Sequence, residues 1–167
     1  PGETFDDELT LQIGTKTVRL IHPGRGHTDG DLVALFVEDD VLVAGDLFFN
    51  RLYPNIDLEA GGSIAEWPTT LDRVLRLPFT RVIPGHGPAS DREGLTGFRD
   101  FIAELGSVSR AAREAGWTRE ETIARGELTA DAGYEQITMI VPIGLNRDFV
   151  LGRAWDEATQ TFERYAE

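Results

Sequence analysis

The sequence predicts an α/β fold for the 167 residues. Short segments rich in Val and Leu, apolar at every second position or in unbroken runs, fill much of the first half of the chain. Segments whose apolar residues repeat at helical spacing follow and dominate the last third. No repeat, low-complexity tract or linker separates the two kinds of segment. We therefore expect helices and strands to pack as one unit, around a core drawn from the 41% of hydrophobic residues.

Two β-hairpins are predicted in the first part of the chain. Apolar and polar residues alternate over 9–13 and again over 18–20, and residues 14–16 interrupt the pattern. Residues 32–37 and 41–44 are apolar and rich in Val, and the acidic residues between them are too polar for anything but a turn. Four strands are therefore expected here.

The first helix is predicted over residues 63–77. Ser63 and Glu66 have the spacing of a capping box, and Pro78 cannot continue a helix. A short strand over 81–83 is expected to follow. The apolar residues of this helix share one face: Ile64, Trp67, Leu71, Val74 and Leu75.

Three further helices are predicted after residue 90. A long one starts at Ser90, in a capping box with Glu93, and ends near Gly116. A shorter one is capped by Thr118. The last covers 142–158, with a proline in its first turn, where the missing N–H costs least. The apolar residues at helical intervals in this last segment are Leu145, Phe149 and Ala154.

Charge and composition exclude several classes of partner. Acidic residues outnumber basic ones by 29 to 16, so a net charge of -13 would repel nucleic-acid phosphates and anionic lipid headgroups, and we expect neither as a partner. The absence of Cys excludes thiolate metal sites and a cysteine nucleophile. The chain opens at Pro1 without Met or a leader segment, so we expect the gene product to begin upstream. A soluble protein is expected, with the cytoplasm slightly favoured; the oligomeric state is left open.

Two histidines and one aspartate lie where predicted strands end. His27 and His86 occupy Gly-rich loops that follow apolar segments, and Asp46 follows the run 41–45. Flanking glycines let the backbone adopt positive φ, so that a side chain can project into a cleft. A carboxylate directly after a buried strand is costly unless a metal or hydrogen bonds compensate it. Taken singly, such a histidine is more often a solvated loop residue, and an Asp after Gly is more often a turn former.

Taken together, the three residues form a family pattern. The sequence reads GHTDGD at 26–31, AGD at 44–46 and PGHGP at 84–88. These elements, in this order, resemble the second half of the metallo-β-lactamase superfamily signature. The resemblance is close over 9–88 and looser through the C-terminal helices, which look like those of glyoxalase-II-like and quinoprotein-associated members. It implies that 1–90 form the C-terminal half of a metallo-β-lactamase αβ/βα sandwich, with 91–167 as a helical extension packed on the same domain.

The resemblance also implies roles for individual residues. His27 would bind one metal ion, His86 the other, and Asp46 would bridge both and be required for catalysis. Zn²⁺ suits these ligands, two ions in the full-length protein, although iron or manganese could replace it. Thr28 and Asp31 either orient ligands by hydrogen bonds or are structural turn residues. The implied activity is hydrolysis of an ester, thioester, amide or lactam bond in a small-molecule substrate by a metal-bridging hydroxide.

One part of the family pattern is absent. The first motif, His-x-His-x-Asp-His, needs three histidines, and only His22 remains unassigned. We expect the missing half upstream of Pro1, so that this segment alone is inactive and holds metal weakly; the other interpretation is a degenerate member. His22 itself is expected to be structural. The aromatic residues after Asp46 wall a substrate pocket or belong to the core: Phe48, Phe49 and Tyr53.

Two alternative functions stay open at this point. An iron-containing oxidoreductase of the same superfamily is the first, because histidine and carboxylate ligands can also hold redox-active iron. The second is a non-catalytic α/β binding module whose loop histidines are coincidental. Metal analysis of the full-length protein distinguishes the iron oxidoreductase from a zinc hydrolase. An upstream sequence without the His-x-His-x-Asp-His motif would favour the binding module.

Overall fold

A five-stranded sheet organises the protein, whose computed structural model describes residues 4–138 and 144–165. The strands lie side by side in sequence order, and neighbours are antiparallel except β4 and β5, which are parallel. A parallel pair needs a crossover connection, and the one between β4 and β5 contains the first helix. The strands are β1 (Glu8–Ile13), β2 (Lys16–Ile21), β3 (Val33–Phe36), β4 (Val41–Phe49) and β5 (Arg81–His86).

Four α-helices accompany this sheet in the part of the chain that the structure describes. Helix α2 contacts α1, α4, β4 and β5, so it is the central helix of the packed layer. This mixed arrangement confirms the predicted α/β class. The helices are α1 (Trp67–Val74), α2 (Arg92–Glu114), α3 (Arg119–Arg125) and α4 (Arg147–Thr159), and a small two-stranded sheet consists of β6 (Ile137–Thr138) and β7 (Gly144–Leu145).

Both predicted hairpins are present, but β4 is longer than predicted. The β1–β2 turn contains Gly14 at φ 63°, and a short 3₁₀ turn, Val37–Asp39, connects β3 to β4. The sequence predicted that the second strand of this hairpin ends at 44, whereas β4 continues to Phe49. The extension has a packing cause, since its last three residues are buried in the core.

Helix α1 begins later than predicted because tertiary partners compete for its cap. Ser63 Oγ accepts a hydrogen bond from Glu66 N at 3.1 Å, which is half of a capping box. The other half does not form. Ser63 N donates instead to the carbonyl of Gly26, and the Glu66 carboxylate accepts from Arg25 at 2.8 Å. The prediction of a helix from Ser63 is therefore wrong, and the regular helix starts at Trp67.

The N-cap of α2 is Asp91, one residue after the predicted Ser90. The Asp91 carboxylate accepts from Glu93 N at 3.0 Å, whereas the Ser90 backbone pairs in both directions with Val82 of β5. The predicted cap of α3 is confirmed, because Thr118 forms a reciprocal capping box.

Helix α4 starts at Arg147 with Asn146 as its N-cap, later than the predicted 142. Asn146 Oδ1 accepts from Phe149 N at 2.9 Å. Leu145, which was expected within this helix, lies in β7, and Pro142 lies outside the described residues.

One face of the sheet packs against the helices. Val33, Leu35 and Leu42 from this face are fully buried. An aromatic cluster fills the space beneath α2, where the Phe98 ring lies 5.7 Å from the Trp67 ring and 5.5 Å from the Phe48 ring. The core therefore connects β4, which contains Asp46, with the helices.

The opposite sheet face is also apolar but remains partly open. Ile83 is paired across the sheet with Val43 and is 45% exposed, and Ile13 at the edge is 59% exposed. Exposed apolar side chains on one sheet face are typical of a surface that another element covers.

Among the described residues, no helix is both long enough and apolar enough to span a membrane.

Candidate metal centre

The structure brings His27, Asp46 and His86 together, although 59 residues separate the first from the last. Asp46 Oδ2 lies 3.7 Å from His27 Nε2, and Asp46 Oδ1 lies 3.4 Å from His86 Nε2. Each oxygen of one carboxylate therefore faces a different imidazole. A carboxylate in this position can bridge two cations.

Parallel pairing of β4 and β5 accounts for the meeting of Asp46 and His86. Asp46 lies inside β4 rather than after its end, which corrects the predicted strand-end position. Gly45 adopts φ 53° at a register shift between the two strands, and this irregularity re-aims the chain just before Asp46. His86 is the last residue of β5, and His27 lies in a bend between β2 and β3.

Gly85 makes room for the Asp46 carboxylate. A Cβ atom at Gly85 would collide with Asp46 Oδ1 and would lie 2.8 Å from the carbonyl carbon of Gly45. Residue 85 is therefore restricted to glycine by close approach of the two strands.

Gly85→Ala is expected to displace the Asp46 carboxylate and to weaken zinc binding about tenfold. This is the lower end of the range of losses in metal affinity seen when the surroundings of a ligand are disturbed. Isothermal titration with Zn²⁺ on the whole protein measures this change. Gly97→Ala in α2 is the matched control, because a Cβ there has no neighbour within 4 Å and the helix should gain about 0.5–1 kcal/mol of stability. Equal zinc affinities in the two variants would contradict the steric argument.

The orientation of the His27 ring is set by a backbone carbonyl. His27 Nδ1 lies 3.1 Å from Asn55 O, and since a carbonyl oxygen only accepts, Nδ1 carries the proton. The lone pair of Nε2 is then free on the side of Asp46, as a metal ligand requires. Sequence reasoning missed Asn55, because any residue can supply a carbonyl and no pattern marks it.

The ring of Phe49 packs against both imidazoles. It stacks on that of His86 with centroids 4.8 Å apart and an angle of 17°, and it meets the His27 ring edge-on at 6.4 Å. Phe49 is buried, as are Phe48 and Tyr53, so all three aromatic residues after Asp46 belong to the core. One buried ring therefore contacts both histidines of the candidate site.

Thr28 and Asp31 bind each other within the loop that carries His27. Thr28 N and Oγ1 both donate to the Asp31 carboxylate, the latter at 2.8 Å. Burial raises the pKa of this carboxyl, and the bonds from Thr28 offset only part of the rise. His22 Nδ1 lies 2.6 Å from the Asp31 carbonyl. These contacts give the three residues structural roles in the loop; that Thr28 or Asp31 orients a ligand stays a prediction.

The three side chains suit Zn²⁺ in chemistry but are too few for a complete site. Neutral imidazole nitrogen and carboxylate oxygen are ordinary zinc ligands. Across residues 4–138 and 144–165, however, no group of three or more His, Asp or Glu side chains is arranged to hold one ion. One ion could take His27 and Asp46, the other Asp46 and His86. The arrangement is thus a shared carboxylate with one histidine on each side.

Comparison with known proteins points to the family that the motifs resemble. Residues 1–86 match the family model described as the metallo-beta-lactamase superfamily. A metallo-beta-lactamase type 2 of Bacillus cereus is 30% identical over 84 residues, which are 49% of this chain and 33% of that protein. One of Elizabethkingia meningoseptica is 23% identical over 111 residues, which are 65% of this chain and 45% of that protein.

Solved structures with a similar fold are also metallo-beta-lactamases. A metallo-beta-lactamase structure from Pontibacter korlensis matches with a TM-score of 0.54 and 25% identity, covering 60% of this chain and 47% of the other. The chain therefore spans less than half the length of each of these relatives.

Proposed function

The chain belongs to the metallo-beta-lactamase superfamily, and we propose that it supplies three metal ligands to the active site of a metal-dependent hydrolase. The observation that carries this proposal is the Asp46 carboxylate, which faces His27 with one oxygen and His86 with the other. Zn²⁺, when bound, would supply Lewis acidity and make water nucleophilic near neutral pH. The chain's own contribution is to hold the ligands in place.

Accessibility supports a reactive site. The side chain of Asp46 is 40% exposed and that of His86 is 47% exposed, whereas His27 is only 15% exposed. His27 is therefore anchored in the protein, and the other two ligands border solvent, from which substrate arrives. We assign His27 and His86 as ligands of separate ions, and Asp46 as the bridging and catalytically required ligand.

A cavity next to the end of β5 has room for a small-molecule substrate, and none of the three proposed ligands lines it. It measures about 420 Å³ and is lined in part by Asn50, Arg51 and Tyr134. Asn50 N donates to the carbonyl of His86 at 2.9 Å, so the cavity adjoins the end of β5. Cavities of this size hold small organic ligands. The net charge of -13 supports the same class of partner over nucleic acid or a membrane surface.

Completion of the site requires more ligands than the described residues offer. Catalytic zinc sites normally use three protein ligands and one water, and here each ion would gain two. We propose that residues beyond these 167 supply the rest and cover the sheet face that exposes Ile83. The segment alone is accordingly expected to hold zinc weakly and to turn over no substrate.

The bond that is hydrolysed belongs to the class of esters, thioesters, amides and lactams, all of which have a carbonyl that a metal can polarise. The names of the relatives do not select lactams for this chain, because one fold supports many reactions.

Expression of the complete gene product tests the proposal. Metal analysis is expected to find two zinc ions per chain, and one of three probes, a nitrophenyl ester, an acyl thioester or a chromogenic cephalosporin, should be hydrolysed. Chelation should abolish the activity and added zinc should restore it. Tightly held iron with no hydrolysis would favour the oxidoreductase alternative, and absence of both metal and activity would favour a binding module.

A further inference from the structure

We propose that helix α4 positions His27 through the segment that joins β4 to α1. We call residues 55–66 of this segment the ligand loop. The inference rests on the proposed function, because it concerns a ligand of the proposed site. Helix α4 lies beyond the family match, which ends at residue 86, so the match assigns it no role.

The ligand loop holds both the ring and the backbone of His27. The carbonyl of Asn55 accepts from the ring Nδ1 at 3.1 Å, and Asp57 N donates to the carbonyl of His27 at 3.1 Å. One residue earlier, the carbonyl of Gly26 accepts from Ser63 N at 2.8 Å. A displacement of the loop would therefore move the ring and change which nitrogen carries the proton.

Helix α4 in turn holds both ends of the ligand loop. Near the end of the loop, Ser63 Oγ donates to the Glu157 carboxylate at 2.7 Å and Ile64 N donates to it at 2.9 Å. Near the start of the loop, the carbonyl of Ile56 accepts from Arg153 Nε at 3.0 Å. The guanidinium of Arg153 also forms a bidentate ion pair with Glu59 in the middle of the loop.

Burial makes these contacts effective. Ser63 is 3% exposed and Ile64 is 1% exposed, so donors that lose Glu157 would be left without a partner away from water. The loop has no helix or strand of its own between β4 and α1. Side chains from α4 therefore add to the loop's own turn hydrogen bonds in ordering it, and Glu157 and Arg153 act as positioning residues for His27, not as catalytic ones.

The protonation of the His27 ring provides a test that needs no metal. In the chain with ¹⁵N-labelled histidine, His27 is expected to show the Nδ1–H tautomer that its bond to Asn55 requires. Glu157→Ala should give a mixture of tautomers, and the dissociation constant for Zn²⁺ alone, titrated by NMR, should rise about tenfold. Glu157→Gln should recover the tautomer in large part, because the amide oxygen can accept the bond from Ser63.

Two further variants keep the test decisive. Arg147→Gln removes a different contact of α4, the 3.1 Å pair with Asp131, without touching the ligand loop or Arg153, and should leave both readouts unchanged. Arg153→Gln repeats the test if Glu157→Ala does not fold. Wild-type tautomer and zinc affinity in a folded Glu157→Ala or Arg153→Gln variant would overturn the inference. A tautomer change in Glu157→Ala, together with no zinc in the complete gene product, would support the positioning role while contradicting the proposed function.

Discussion

Asp46→Ala in the whole protein is expected to lower kcat/KM at least about a thousandfold, or about 4 kcal/mol of transition-state stabilisation. The physical reason is the position of the carboxylate, which lies 3.7 Å from one imidazole and 3.4 Å from the other. In the proposed site, its removal would deprive both ions of a ligand at once. Steady-state kinetics together with the zinc content per chain measure the effect.

His22→Ala is the matched control for this variant. His22 is bound to the carbonyl of Asp31 at 2.6 Å and contributes to the shape of the loop. We expect its removal to leave turnover nearly unchanged. Comparable losses in the two variants would mean that the histidines and the aspartate have been assigned wrongly. Asp46→Asn adds a second test, because it keeps the shape of the side chain and removes the charge that a bridging ligand needs.

The site was predictable where residue chemistry and strand patterns coincide. His27, Asp46 and His86 lie in or after apolar runs, and they stand out together because their three motifs resemble the family signature. The parts that the sequence did not reveal are those made by the backbone or by distant partners. Asn55 acts through its carbonyl. The contact of the Phe49 ring with both imidazoles depends on an extension of β4 that only core packing explains.

The fold was predictable to the extent that local signals have no tertiary competitors. The capping box at Thr118 forms as predicted, because Glu121 accepts from Thr118 N with one carboxylate oxygen while the other pairs with Arg125 of the same helix. The similar pair at Ser63 and Glu66 does not form fully, because Gly26 and Arg25 bind the groups that the box would use. The bond from Ser63 N to the Gly26 carbonyl ties Ser63 to the residue before His27, so this failed local prediction marks a tertiary connection.

Trp67→Ala is expected to lower the free energy of unfolding by about 3–5 kcal/mol, the range for a large aromatic side chain removed from a core. Trp67 is fully buried, packs edge-on against Phe98 at 5.7 Å, and donates from Nε1 to the carbonyl of Leu47 at 3.1 Å. A Cβ placed on Gly26 would lie 2.9 Å from the indole ring, so the ring also supports the backbone next to His27.

Denaturant unfolding of the chain, monitored by circular dichroism, measures this loss, and two controls separate its causes. Trp67→Phe restores most of the ring volume but leaves the Leu47 carbonyl without its donor, so we expect a smaller loss of about 1–3 kcal/mol. Trp117→Ala removes an indole that is only half-buried, beside Arg125, and should cost less than either. If Trp67→Ala costs no more than Trp117→Ala, the aromatic cluster does not support the strand that bears Asp46. Because the same ring contacts the segment before His27, a large loss of stability should be accompanied by weaker zinc binding at temperatures where the variant is still folded.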